Sequence, residues 1–131
     1  PIYKVEELLS NQGKDINGGK VAVLGLAMKD YSNDDRISPP VDICKLLIER
    51  GAEVRAFDPV VPTKYDFKVS SQDEALKDAD VLVVLAKQHD IDFDDFGHMS
   101  KLLKEKAVCV DTKAIVNEVE AKKYGVRIWR I

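Results

Sequence analysis

Apolar runs of strand length alternate along this sequence with segments whose apolar residues recur at helical spacing. KVAVLGLA (20–27), DVLVVLA (80–86) and AVCVDT (107–112) are nearly unbroken, the pattern of strands buried on both faces. AEVRAFDP (52–59) predicts a further strand stopped at Pro59, and VRIWRI (126–131) a closing one. Between the first two strands, Ser38 stands as N-cap and Pro39 at the first helical position. Val41, Cys44, Leu47 and Ile48 then share a face, and Gly51 marks the stop. Ser71 with Glu74, and Asn117 with Glu120, are in capping-box register and open two more helices, the second ending at Gly125. FDDFGHMSKLLKEK (93–106) predicts another helix despite Gly97. Lys4 to Asn11 predicts a short one inside a lead-in segment, 1–19, that ends in a polar, Gly-rich connection. VVPTKYDFKVS (60–70) reads as a loop with a short strand near Phe67–Val69.

Strands alternating with helices of this size imply βαβ units, hence an α/β fold with a mostly parallel sheet and helices on both faces. Right-handed crossovers reduce the choices to a Rossmann-like, doubly wound architecture, with residues 1–131 as a single domain. In such sheets ligands bind outside the carboxyl ends of the strands. Lys29, Asp58, Lys87 and Lys113 each follow a strand end and so fall on that rim.

Composition removes several alternatives. With 20 Lys and Arg against 23 Asp and Glu, the net charge of -3 argues against nucleic acid as a partner. There is no apolar run of roughly 18 residues and no signal peptide, so no membrane association and a cytoplasmic location are expected. Cys44 and Cys109 lie inside apolar runs and read as small buried hydrophobes, not as metal ligands, a disulfide or an activated nucleophile. The chain opens at Pro1 without a methionine, which suggests that it is part of something longer.

The chemistry concentrates between Val21 and Pro40. A dinucleotide fingerprint would need G-x-G-x-x-G after the first strand, but Gly25 is followed by Ala27 and Asp30 at the matching positions. A P-loop is also missing, which leaves cationic side chains as the means of holding an anion. Lys29 and Arg36 flank DYSNDD on the rim. A lysine offers a point charge to a phosphate or developing oxyanion, and an arginine a planar fork. Equally, both could simply neutralise Asp30, Asp34 and Asp35 in a solvated loop. Asp58 either binds ribose hydroxyls or starts an Asp-Pro turn, and Lys113 in DTK adds a cation to the same rim. His89 and His98 lie among four aspartates without a metal-ligand spacing, so no metal site is expected. Trp129 and Phe57 read as core residues, and Lys122, Lys123, Arg127 and Arg130 as a solvated surface.

These residues also carry a resemblance. KVAVLGLAMKDYSNDDRISPPVDICKLLIERGAEVRAFDP, with GLAMK followed by DDRISP, resembles the carboxy-terminal, UDP-sugar-binding domain of the UDP-glucose/GDP-mannose dehydrogenase family. The likeness continues through DEALKDADVLVVLAKQHDIDF, VCVDTK and the closing strand. It implies an enzyme that oxidises the C6 hydroxymethyl of a nucleotide sugar to a carboxylate with two NAD+, by way of a thiohemiacetal and thioester on a cysteine. It also implies that this cysteine and the NAD-binding domain lie amino-terminal to this chain, which alone would not be catalytic. The implied partners are a UDP-sugar, the amino-terminal and central domains of the same enzyme, and further copies in a homo-oligomer.

By residue-wise resemblance Lys29 matches a substrate-contacting catalytic lysine near the reacting sugar, and Arg36 an arginine on the cofactor side of the cleft. Lys113 stands where relatives have the arginine of D-G-R, a departure that keeps the charge and loses the fork. DTK together with the QHD segment leans toward the UDP-N-acetylmannosamine branch of the family. Two readings from other classes stay open: a standalone Rossmann-like module that binds a nucleotide or a partner, and a domain that serves only as an assembly surface.

Overall fold

The computed structural model describes residues 2–130. Five helices and five strands follow one another as α1 (Ile2–Asn11), β1 (Lys20–Leu24), α2 (Pro39–Glu49), β2 (Glu53–Phe57), α3 (Gln72–Leu76), β3 (Val81–Val84), α4 (Phe96–Leu102), β4 (Val108–Asp111), α5 (Glu118–Lys123) and β5 (Arg127–Arg130). All strand pairings are parallel, in the order β2-β1-β3-β4-β5. The Rossmann-like α/β architecture expected from the sequence is therefore present, with the reversal of strand order between β1 and β3.

Each inner strand feeds two cores, because successive side chains point to opposite faces. Val21 and Val23 of β1, Val81 and Val83 of β3, and Val108 and Val110 of β4 pack on one face with Val5 and Leu9 of α1 and Val41, Cys44 and Leu47 of α2. Ala22, Leu24, Leu82, Val84 and Cys109 pack on the other, with Leu76 of α3, Phe96 and Met99 of α4 and Ala121 of α5. Leu47 is fully buried, and its truncation to alanine would cost about 2–5 kcal/mol.

Local chemistry sets the element ends. Ser38, Ser71 and Asn117 each accept a backbone N–H of the helix they cap, as their spacing predicts. β1 stops at Leu24, short of the Ala27 expected, because Gly25 turns the chain at φ +92°. A Cβ there would lie 2.7 Å from the amide nitrogen of Ala86 and closer still to its carbonyl oxygen, so only glycine lets β1 end this close to β3. The helix expected over 93–106 is confined to Phe96–Leu102. Before it, Asp92 accepts the N–H groups of Asp94 and Asp95, and Lys106 turns at φ +68° after it. The short strand near Phe67–Val69 is a single bridge that lies along the outer edge of β2, with Ala56 exchanging backbone hydrogen bonds with Phe67 and Val69.

One assignment is corrected and another refined. Trp129 is not core: it sits on edge strand β5, 44% exposed, with the Lys4 ammonium 3.7 Å from its ring centroid. Arg130 is exposed as expected but is also paired. It donates to Glu118 at 2.7 Å and to the Val116 carbonyl oxygen at 2.9 Å, and lies 3.4 Å from the fully buried Asp111 carboxylate. Phe57 is half-buried against the core on the α3 side.

Candidate functional site

Residues 25–38 form the long connection at the carboxyl end of β1, and they are pinned at the base, the middle and the outer flank. At the base, the Ser38 hydroxyl donates to the Leu26 carbonyl oxygen at 2.7 Å while it caps α2 by accepting from Val41 N–H. Asp58, buried at the end of β2, accepts from Leu26, Val60 and Val61 N–H at 2.8–3.0 Å. The Gln88 amide donates to the same carboxylate at 3.3 Å. With all of these donors internal, Asp58 is the turn-forming aspartate of the two readings, and it has little capacity left for a ribose.

The middle of the loop is tied to the connection after β3. Tyr31, in the left-handed region at φ +59°, donates its N–H to the Lys87 carbonyl oxygen at 2.9 Å, and Lys87 N–H returns a bond to Asp30 Oδ1 at 3.0 Å. Gln88 donates to the Ser32 carbonyl oxygen, and the Tyr31 ring packs against His89 with centroids 4.6 Å apart. A hydrogen bond with Tyr31 raises the Lys87 ammonium above its ordinary pKa. The crevice between β1 and β3, where doubly wound sheets take their ligands, is therefore roofed by the protein's own loop. On the outer flank, Thr63 and Tyr65 both donate to the Asp35 carboxylate.

This bracing presents the cations singled out from the sequence, and it gives each a different state. Arg36 is 86% exposed, yet its fork is engaged by Asp34, with Nε and Nη2 at 3.0 and 2.8 Å from the two carboxylate oxygens. That side-chain bond, helped by Arg36 N–H, holds the Asp34 carboxyl down at about 2. Lys113, two residues beyond β4, lies 3.6 Å from Asp30. Lys29 is exposed and has no ion-pair partner within 4 Å among the described residues. Met28, Asp34, Arg36 and Ile37 line an open groove of about 450 Å³ beside these cations. The structure thus brings Lys87 and Lys113 together around Asp30, holds Arg36 in a clamp on the groove, and leaves Lys29 exposed with its charge felt by Asp34. The acids of DYSNDD were legible as counter-ions, but the cross-loop pairing of Asp30 with Lys113 and the place of Gln88 beneath the loop were not.

His98 meets Asp73 at 2.9 Å while His89 stacks on Tyr31, and no three His, Cys, Asp or Glu side chains converge as metal ligands among the described residues. Cys44 is fully buried, and burial pushes its thiol up to about 12, where it is not a nucleophile at neutral pH. Among the described residues no helix is long and apolar enough to cross a membrane. A dinucleotide does not fit this chain's β1 end. Gly25 is consumed by packing on Ala86, Ala27 is buried, and no glycine cradle exists to receive a pyrophosphate.

Comparison with known proteins places this site in context. Residues 22–118 match the model of the UDP-glucose/GDP-mannose dehydrogenase family, UDP binding domain. The UDP-N-acetyl-D-mannosamine dehydrogenase of Methanocaldococcus jannaschii is 33% identical over 98% of this chain and 30% of its own length. The UDP-glucose 6-dehydrogenase of Rhizobium meliloti is 30% identical over 92% of this chain and 29% of its own length. Among solved structures, the NDP-N-acetyl-D-galactosaminuronic acid dehydrogenase of Methanosarcina mazei superposes with a TM-score of 0.85 at 26% identity, over 99% of this chain and 28% of that one. The UDP-N-acetyl-mannosamine dehydrogenase of Staphylococcus aureus gives 0.76 at 28% identity, over 98% of this chain and 29% of that one. The chain therefore spans about 30% of the length of the curated relatives it matches.

Proposed function

The chain belongs to the UDP-glucose/GDP-mannose dehydrogenase family, matching its UDP binding domain, and from that premise we propose that it is the carboxy-terminal, nucleotide-holding part of an NAD-dependent UDP-sugar 6-dehydrogenase. The observation that carries this reading is the braced β1–α2 loop. It presents an exposed Lys29, without an ion-pair partner among the described residues, and an Arg36 clamped by Asp34 on one loop at the carboxyl ends of the strands. Lys29 contacts the substrate near the reacting sugar, where an ammonium stabilises anionic intermediates. Lys113 contacts the UDP-sugar with a single charge in place of a fork, and Arg36 reaches toward the cofactor.

NAD is held by the part of the enzyme outside this chain, a reading that the missing glycine cradle after β1 supports. Hydride acceptance is the cofactor's contribution, and this chain's residues bind and orient the substrate. The catalytic cysteine lies outside this chain too, so the isolated chain does not turn over. UDP-N-acetylmannosamine is the first substrate to test, since relatives of that name stand at 33–34% identity. The full-length enzyme is a cytoplasmic homo-oligomer whose product, a nucleotide-linked uronic acid, serves polysaccharide assembly.

The test is a calorimetric titration of UDP into the full-length protein, together with NADH formation from UDP-N-acetylmannosamine and from UDP-glucose. Micromolar UDP binding and turnover of one of the two sugars are expected. UDP binding with no oxidation of either sugar would favour the standalone nucleotide-binding module, and no UDP binding would exclude both.

A further inference from the structure

We propose that Asp30 is an internal counter-ion that occupies Lys113 in the ligand-free protein and yields it to a nucleoside diphosphate, so that residue 30 sets ligand affinity by acting through Lys113. The proposal rests on the nucleotide-holding role given above. Asp30 Oδ1 accepts Lys87 N–H at 3.0 Å, which fixes the carboxylate at the carboxyl ends of β1 and β3. The same oxygen lies 3.6 Å from the ammonium of Lys113, which follows β4. The two contacts thus set one negative charge against a cation that faces the ligand rim.

The exchange is chemically simple. A carboxylate and a phosphate present the same kind of anionic acceptor to an ammonium, and one lysine cannot serve both at full strength. Lys113 has a flexible stem and a point charge with no preferred plane, and its side chain and that of Asp30 are 37% and 42% exposed, so it can change partner without moving the backbone. Arg36 is the contrasting case, because its fork is matched by both oxygens of Asp34. A clamped arginine, an exchangeable lysine and the unpaired Lys29 therefore sit on one rim.

Asp30→Asn separates the two contacts. The amide oxygen still accepts Lys87 N–H, and the negative charge facing Lys113 is gone. UDP would be titrated calorimetrically into the full-length enzyme, its Asp30→Asn variant, the Lys113→Met variant and the double variant, with folding checked by circular dichroism. An exposed ion pair shifts an equilibrium by up to about fivefold, so Asp30→Asn is expected to tighten UDP binding about 3–5-fold. At least half of that gain in log affinity is expected to vanish when residue 113 is methionine, a coupling that a merely structural role would not produce. Unchanged or weaker binding by Asp30→Asn would overturn the proposal, as would a gain that persists undiminished beside Lys113→Met or failure of Asp30→Asn to fold. Absence of UDP binding by the unsubstituted enzyme would instead reject the nucleotide-holding reading, and the proposal with it.

Discussion

The buried Gln88 amide donates to the Ser32 carbonyl oxygen at 2.7 Å and so fastens the connection after β3 to the loop that carries Lys29 and Arg36. The same amide touches Asp58, which holds Leu26 N–H at the root of that loop. One side chain therefore spans both anchors.

Gln88→Leu removes that fastening with little change of volume. Leaving the Ser32 carbonyl unpartnered costs about 1–3 kcal/mol of stability, visible as a lower urea midpoint. UDP binding by the full-length enzyme should weaken about tenfold, because the loop's cations lose their fixed placement. Unaltered affinity in a folded variant would show that the loop holds its shape without Gln88.

Lys29→Ala and Lys113→Met should differ in kind. If Lys29 meets the reacting sugar, its loss lowers kcat by about two orders of magnitude or more, the scale on which a positioned charge stabilises a transition state. Lys113→Met should act mainly on KM, by several-fold. Steady-state kinetics of the full-length enzyme would separate them, and equal effects on both parameters would put the two lysines in one role.

The clamp on Arg36 has a spectroscopic signature. The Asp34 carboxyl titrates at about 2 because the Arg36 side chain and N–H bond to its ionised form. Carbon-detected NMR should find that midpoint, and Arg36→Gln should raise it toward the ordinary value near 3.9. Both groups stay charged throughout the physiological range, so the clamp itself confers no pH dependence there.

Acid stability should trace to Asp80. Burial opposes its ionisation, but bonds from the Lys14 ammonium and Lys20 N–H, with Lys104 3.6 Å away, outweigh it and lower its pKa below the ordinary value. A carboxyl depressed in the folded state stabilises above its unfolded pKa, and that contribution is lost as pH falls through the folded value. Unfolding free energy should therefore decline below about pH 4. Asp80→Asn should cost about 1–3 kcal/mol at pH 7 and flatten the acid limb. An unchanged limb would assign it to another carboxylate.

Much of this was legible in the sequence because it was locally encoded. Unbroken apolar runs announced β1, β3 and β4, and Ser38, Ser71 and Asn117 announced the starts of α2, α3 and α5. Lys29, Arg36 and Lys113 were legible as residues at strand ends. Their partners were only half legible. Asp34 lies two residues from Arg36, whereas Asp30 meets Lys113 and Gln88 meets Ser32 only once β1, β3 and β4 are side by side. Trp129 was misread, and the pairing of Arg130 missed, for a related reason, since nothing in RIWR says that β5 is an edge or that Asp111 waits beneath it.

The pairing of Arg36 and Lys113 with carboxylates of their own also governs how a ligand arrives. Seen from more than a Debye length, about 8 Å in physiological salt, Arg36 with Asp34 and Lys113 with Asp30 cancel, and this chain's own net charge of -3 adds no attraction for an anion. Diffusing polyanions are therefore not funnelled toward this face, and a nucleotide meets it at an unsteered rate. On the proposed exchange at Lys113, discrimination would begin only on contact, when phosphate competes with carboxylate.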